Sequence, residues 1–149
     1  MNKMNRKIEY SLMALKHMST KAVGELTTAK EVSERYSSPF DATARVLQIM
    51  AQQGLLKAEH GAFGGYQITK DLKKVTLNDL MNIISGPMQI AKCLSHDEGC
   101  EIQSACNIVS PIYNLNKKLT DFYNSVTIHE LIVSERIEKN DHSQVQAGL

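Results

Sequence analysis

Apolar positions recur along most of this chain with a helical period, and the period breaks in one place. Met4, Ile8, Leu12 and Leu15 follow one another at three or four residues, which predicts an amphipathic helix over 5–19. Thr28-Ala-Lys-Glu31 has capping-box spacing and predicts a short second helix through Val32 to about Tyr36. Ser37-Ser38-Pro39 comes next. A proline at the first helical position has no N–H to lose, and the serine before it can cap the orphan donors. A third helix is expected from about Pro39 to Gln53, with Val46, Leu47 and Met50 inward and Gly54 ending it in a left-handed conformation. The period then changes. Residues 55–68, L-L-K-A-E-H-G-A-F-G-G-Y-Q-I, read as two extended runs around a glycine-rich tip, a β-hairpin.

Two short helices joined by a tight serine turn, followed by a hairpin, describe a winged helix-turn-helix. The third helix would enter a DNA major groove, and the hairpin would lie along the backbone or minor groove. On that reading Thr43 and Arg45 face outward as base contacts, Arg45 able to take guanine bidentately. Ser38 and Gln48 are further phosphate or base contacts, and His60, Gly64 and Gly65 are the contacts of the wing. Gly61-x-x-Gly64-Gly65 turns between strands and does not open a helix, so it is no phosphate cradle.

Thr76-Leu-Asn-Asp79 opens a fourth helix that ends near Ser85-Gly86-Pro87. Beyond a polar loop, Ile112, Leu115, Leu119, Phe122 and Val126 form a coiled-coil-like seam of about two heptads. A lone helix would leave that stripe in water. A second copy of the chain is the expected partner, because a palindromic DNA site matches two-fold protein symmetry. Thr127-Ile-His-Glu130 restarts a last helix carrying Leu131 and Ile132. The expected fold is mainly α with a small β-hairpin: a winged helix-turn-helix DNA-binding domain over 1–86, a cysteine loop over 87–107, dimerisation helices over 108–138 and a frayed polar tail over 139–149.

Composition narrows the class. At 149 residues and 42% hydrophobic, the chain suits one soluble domain with an appended element. It has no apolar run near the length of a membrane span, and its basic N-terminus leads into an amphipathic stretch unlike a signal peptide. A cytoplasmic location follows as the expectation. Net charge is only +1, but residues 1–80 hold twelve Lys/Arg against eight Asp/Glu, whereas residues 81–149 hold five against eight. A moderately basic front half is compatible with phosphate contacts. No Walker loop, nucleophile elbow or dinucleotide fingerprint is present, and the five histidines are scattered, so no enzyme is expected.

The chain's three cysteines, Cys93, Cys100 and Cys106, all fall in K-C-L-S-H-D-E-G-C-E-I-Q-S-A-C-N, with spacing C-x6-C-x5-C. An odd number of thiols cannot all pair as disulfides. Three soft sulfur donors make most of a site for zinc, copper(I) or an iron–sulfur cluster. Structural zinc favours closer pairs of ligands, so the wider gaps suit a cluster. A cluster-free thiol redox switch on the same fold stays open, as does a small zinc or electron-transfer protein, which would need no winged helix.

The order winged helix, three-cysteine loop, long helix resembles the IscR/NsrR/RirA family of bacterial iron–sulfur transcription regulators, over about Arg6 to Val133. The motifs that carry the resemblance are E-Y-S-L-M-A-L in the first helix, G-L-L-K-A-E-H-G-A-F-G-G-Y in the wing and C-x6-C-E-I-Q-S-A-C in the loop, whose C-x-I-x-x-A-C end looks closest to the NsrR branch. The resemblance implies a homodimer on a palindromic operator, sensing nitric oxide, redox state or iron. It implies a [2Fe–2S] or [4Fe–4S] cluster, the latter slightly favoured and the type left open, held by Cys93, Cys100 and Cys106. One branch draws its fourth ligand from a histidine three residues after the last cysteine; here that position is Val109, which cannot ligate. Other branches use a first-helix carboxylate of the partner subunit, which corresponds to Glu9, with His96 and Asp97 as fallbacks. The family wing often has arginine before its first glycine; here it is His60.

Overall fold

Four of the six helices among the described residues begin where a polar side chain takes over an orphaned backbone donor. The computed structural model describes residues 4–97 and 99–134. Asn5 Oδ1 accepts from Lys7 N at 2.9 Å and opens α1 (Arg6–Ser19). Thr28 accepts from Glu31 N at 3.1 Å and opens α2 (Ala29–Tyr36). Thr76 accepts from Asp79 N at 3.0 Å while Asp79 accepts from Thr76 N at 2.9 Å, a complete capping box for α4 (Leu77–Ser85). Thr127 accepts from Glu130 N at 3.1 Å and opens α6 (Ile128–Val133). Between them lie α3 (Phe40–Gln52), α5 (Val109–Ser125), the strands β1 (Leu56–Glu59) and β2 (Gly65–Ile68), and single 3-10 turns at Lys92–Leu94 and Gln103–Ala105.

The start of α3 departs from the expectation. Pro39 is the N-cap residue itself, with extended backbone, and no side chain caps the helix. Ser38 is one residue too early to reach those donors, and its hydroxyl goes to Thr43 instead. The end of α3 is as expected: Gly54 has φ +76°, Gly54 N donates to Ala51 O at 3.1 Å and Leu55 N to Met50 O at 2.9 Å, the paired bonds of a Schellman motif.

The core gathers one face of each helix except α5. Ile8, Leu15 and Met18 of α1, Val32 of α2, Val46, Leu47 and Met50 of α3, and Leu77, Leu80 and Ile84 of α4 are all buried. Met4 is exposed, so the inward stripe of α1 starts at Ile8. Ile128 and Ile132 of α6 complete the same core. Backbone bonds from Leu77 N to Val126 O and from Ile128 N to Val75 O, both 2.8 Å, fasten the α5–α6 junction to the start of α4. The segment 108–138, read in the sequence as dimerisation helices, therefore ends, over its described part, in the same core as α1–α4. Residues 135–138 and the tail expected at 139–149 lie outside the described residues.

The strands pair antiparallel from Leu56–Ile68 to Glu59–Gly65. A bridge between Thr27 and Tyr66, with N–O distances of 2.9 and 2.8 Å, ties the hairpin to the α1–α2 loop. A Cβ on Gly64 would collide with the Glu59 carbonyl oxygen, and one on Gly65 would meet Thr27 O at 2.9 Å. Both glycines are thus demanded by packing, whatever the wing touches. No helix is long and apolar enough to cross a membrane among the described residues.

Candidate DNA interface and cysteine loop

The turn between α2 and α3 is built on Ser37, the one non-glycine residue with positive φ (+54°) among those described. It redirects the chain so that α3 crosses α2 with one side outward. On that side Arg45 and Gln48 are exposed, and Arg45 Nη1 donates to Gln48 Oε1 at 3.0 Å. This pair uses one of the five guanidinium donors, leaving the fork free for a base edge. Phe40, on the first turn of α3, is 54% exposed. Spacing gives no hint of it, since Phe40 lies three and seven residues before the buried Thr43 and Leu47.

Thr43 does not face outward. It is fully buried, and its hydroxyl shares a 2.7 Å hydrogen bond with that of Ser38, also buried. The expectation of base or phosphate contact through these two side chains is corrected: they join the turn to α3 from within. Thr43 lies three, four and seven residues before Val46, Leu47 and Met50, so it falls on the apolar face.

A second polar cluster braces α2 from behind. His17, in the last turn of α1 and 8% exposed, lies 2.8 Å from the Tyr36 hydroxyl and 2.7 Å from Glu31 Oε1. Lys21 Nζ donates to Glu31 at 2.9 Å and to Leu26 O at 2.8 Å. Burial alone would raise the Glu31 pKa, but the bonds and charges of Lys21 and His17 outweigh it and hold it below the ordinary 4.5. Glu31 thus leaves its expected capping box half made: it receives the Thr28 cap but spends its carboxylate on His17 and Lys21. Nothing in the linear sequence signals a contact between positions 17, 31 and 36.

In the wing, His60 is exposed at the end of β1, and Lys57 pairs with Glu59 at 2.9 Å. An open depression of about 570 Å³ has Gln48 on one side and His60 on the other, so the outward side of α3 and the wing share one surface.

The loop from Gly86 to Asn107 joins α4 to α5 and carries Cys93, Cys100 and Cys106, all free and half-buried. Its anchors are polar. Asn5 Nδ2 donates to Ser85 Oγ at 3.2 Å, linking the N-cap of α1 to the end of α4 where the loop departs. Ile90 N donates to the Asn116 side chain at 3.2 Å, linking the loop to α5. Among the described residues no three His, Cys, Asp or Glu side chains converge as they would around a metal ion. The donor set nonetheless fits an iron–sulfur cluster in kind: three soft sulfurs, unpaired and outside the apolar core, on one loop. Glu9 is half-buried on α1 and pairs with Arg6 at 2.7 Å; Val109 begins α5, and His96 and Asp97 are exposed.

α5 buries no residue fully. Of the seam read from the sequence, Ile112 and Leu119 are half-buried, Leu115 and Phe122 are exposed, and Val126 packs against the core together with Tyr123.

Comparison with known proteins accords with this anatomy. Residues 4–134 match the model of the Rrf2 family, described as an iron-dependent transcriptional regulator. A protein of Haemophilus influenzae described as an HTH-type transcriptional regulator is 21% identical over 140 residues, covering 94% of this chain and 93% of the relative. The fold is that of CymR (YrzC), the global cysteine regulator of B. subtilis, with TM-score 0.69 at 19% identity over 91% of this chain and 100% of that one. It is also that of IscR from T. potens, with TM-score 0.63 at 16% identity over 88% and 86% of the two chains.

Proposed function

The chain belongs to the Rrf2 family of transcriptional regulators, and from that premise we propose that its cysteine loop is the sensor and its α3 and wing the output. It is a DNA-binding regulator and not an enzyme. The proposal adds that Cys93, Cys100 and Cys106 hold an iron–sulfur cluster, that Glu9 of a partner subunit is the fourth ligand, and that the working unit is a homodimer on a palindromic operator. The observation that carries it is the gathering of all three free thiols on one loop whose neighbours are tied to both α1 and α5. The family's description as iron-dependent supports the choice of iron. Leu115 and Phe122, exposed on a helix of about 25 Å, offer the apolar contact a second copy needs.

A cluster bound there would supply a centre that reacts with nitric oxide, oxidants or iron loss. The chain's own residues would convey its state. Asn5 and Ser85 make any shift of the loop's first residues felt at the start of α1, and Asn116 makes it felt along α5. α1 packs against α3, so the separation of two recognition helices in a dimer would follow the loop.

Anaerobic purification with absorbance, iron and sulfide analysis tests the reading. A brown protein with matching iron and sulfide is expected. A colourless protein with three titratable thiols would remove the cluster and leave direct thiol oxidation as the sensing chemistry.

A further inference from the structure

Phe63 stands at the tip of the β1–β2 hairpin with 96% of its surface exposed. A phenylalanine usually buries a large area in a core or interface, and this one is carried on a tip whose backbone is fixed. Gly64 N donates to Gly61 O at 3.1 Å, closing the tip into a turn. Gly64 and Gly65 sit where a Cβ would strike Glu59 and Thr27, and Tyr66 is pinned to Thr27 by two backbone bonds. The ring is therefore exposed on a stiff support.

The wing offers little charge beside it. From Ala58 to Ile68 there is no lysine or arginine, the one acid, Glu59, is paired with Lys57, and His60 is the only basic side chain. Attraction to phosphates, which dominates most DNA contacts, is weak here, and the largest contact the tip can make is the ring. Its position suits DNA. A second depression, of about 510 Å³, lies at the tip between Phe63 and the α1–α2 loop residues Gly24 and Leu26, and shares His60 with the depression that Gln48 lines. His60 thus lies between the outward side of α3 and the tip that carries the ring.

We propose that Phe63 is a groove wedge. Its ring enters the minor groove flanking the half-site read by α3 and stacks against a partly opened base step. The wing then reads deformability, favouring a flexible pyrimidine–purine step at that flank. The inference rests on the DNA binding by α3 described above and deepens it.

The test uses the full-length protein and duplexes it enriches from a random-sequence pool, with 2-aminopurine placed across the flank and dyes at the ends to report bending. Phe63→Ala should weaken binding about tenfold, the loss expected of one base–aromatic stack. It should also abolish the flank preference, the 2-aminopurine signal and the bend, while the base preference centred on Arg45 stays unchanged. Phe63→Leu, which keeps an apolar wedge, should recover much of the bend. Affinity within about twofold of wild type together with an unchanged bend in Phe63→Ala would overturn the wedge alone. So would a Phe63→Ala effect confined to oligomeric state by light scattering, which would make the ring a protein contact. If the wild type enriches no duplex, the DNA-binding reading itself falls and takes the wedge with it.

Discussion

Ser38 and Thr43 share a buried 2.7 Å hydrogen bond that closes the turn of the helix-turn-helix onto the recognition helix. Each hydroxyl satisfies the other in a place water does not reach. Thr43→Val keeps the shape and strands the Ser38 hydroxyl, so it should cost about 1–3 kcal/mol of stability. The double variant Ser38→Ala/Thr43→Val should recover most of that loss, because no buried polar group is then unpaired. Chemical denaturation of the single and double variants measures it. A Thr43→Val variant with wild-type stability and altered base preference would return Thr43 to the DNA surface.

Arg45 should behave in the opposite way. It is exposed, and it donates to Gln48 on the same helix. Arg45→Ala should leave the unfolding midpoint nearly unchanged, cost about 1–3 kcal/mol on the specific duplex and relax preference at one position. Arg45→Lys, with charge but no fork, should fall between. Binding-site selection on both variants checks this; unchanged selectivity in Arg45→Ala would assign base reading elsewhere.

Acid should loosen the brace behind α2. The Glu31 carboxylate is held below its ordinary 4.5 by Lys21 and His17 against the opposing effect of burial. Its contribution to stability is therefore complete above pH 4.5 and is lost as pH falls through the lowered value of the folded state. Glu31→Gln should reduce stability near neutral pH by about 1 kcal/mol, the group being partly exposed, and flatten the acid limb of the stability profile. Denaturation between pH 3 and pH 7 compares the two, with roughly that span chosen to bracket the carboxylate range. An equally steep acid limb in the variant would place the titration on another carboxylate.

Glu9 is paired with Arg6 on the surface of α1, an exposed bond worth no more than about 1 kcal/mol. Giving it up to ligate iron is therefore cheap. Glu9→Ala should keep the fold and a coloured cluster, change the visible circular dichroism and speed cluster loss, since a carboxylate is a harder and weaker ligand than thiolate. A spectrum and nitric-oxide reactivity identical to wild type would make Glu9 a surface residue and turn attention to His96.

Much of the fold was legible because its determinants are local. Thr28, Thr76 and Thr127 cap the helices they precede, and Gly54, Gly64 and Gly65 mark turns whose geometry admits little else. What depends on distant partners was not. Thr43 looked like a DNA contact because it is polar, although its spacing from Val46, Leu47 and Met50 put it on the inward face. His17, Glu31 and Tyr36 meet only because α1 and α2 fold together, and Asn5 meets Ser85 across eighty positions. α6 read as part of a dimer arm because two isoleucines and a leucine look alike whichever core they enter.

The central claim is that the state of the cysteine loop sets DNA affinity. The direct measurement is the dissociation constant for an enriched duplex, at fixed salt, of the anaerobically isolated protein before and after its cluster is removed, with Cys106→Ala alongside. The account predicts a change of about tenfold or more between the two wild-type states, with Cys106→Ala fixed at the cluster-free value. Equal affinities in all three would contradict it and make the loop a structural element without control over the helix-turn-helix.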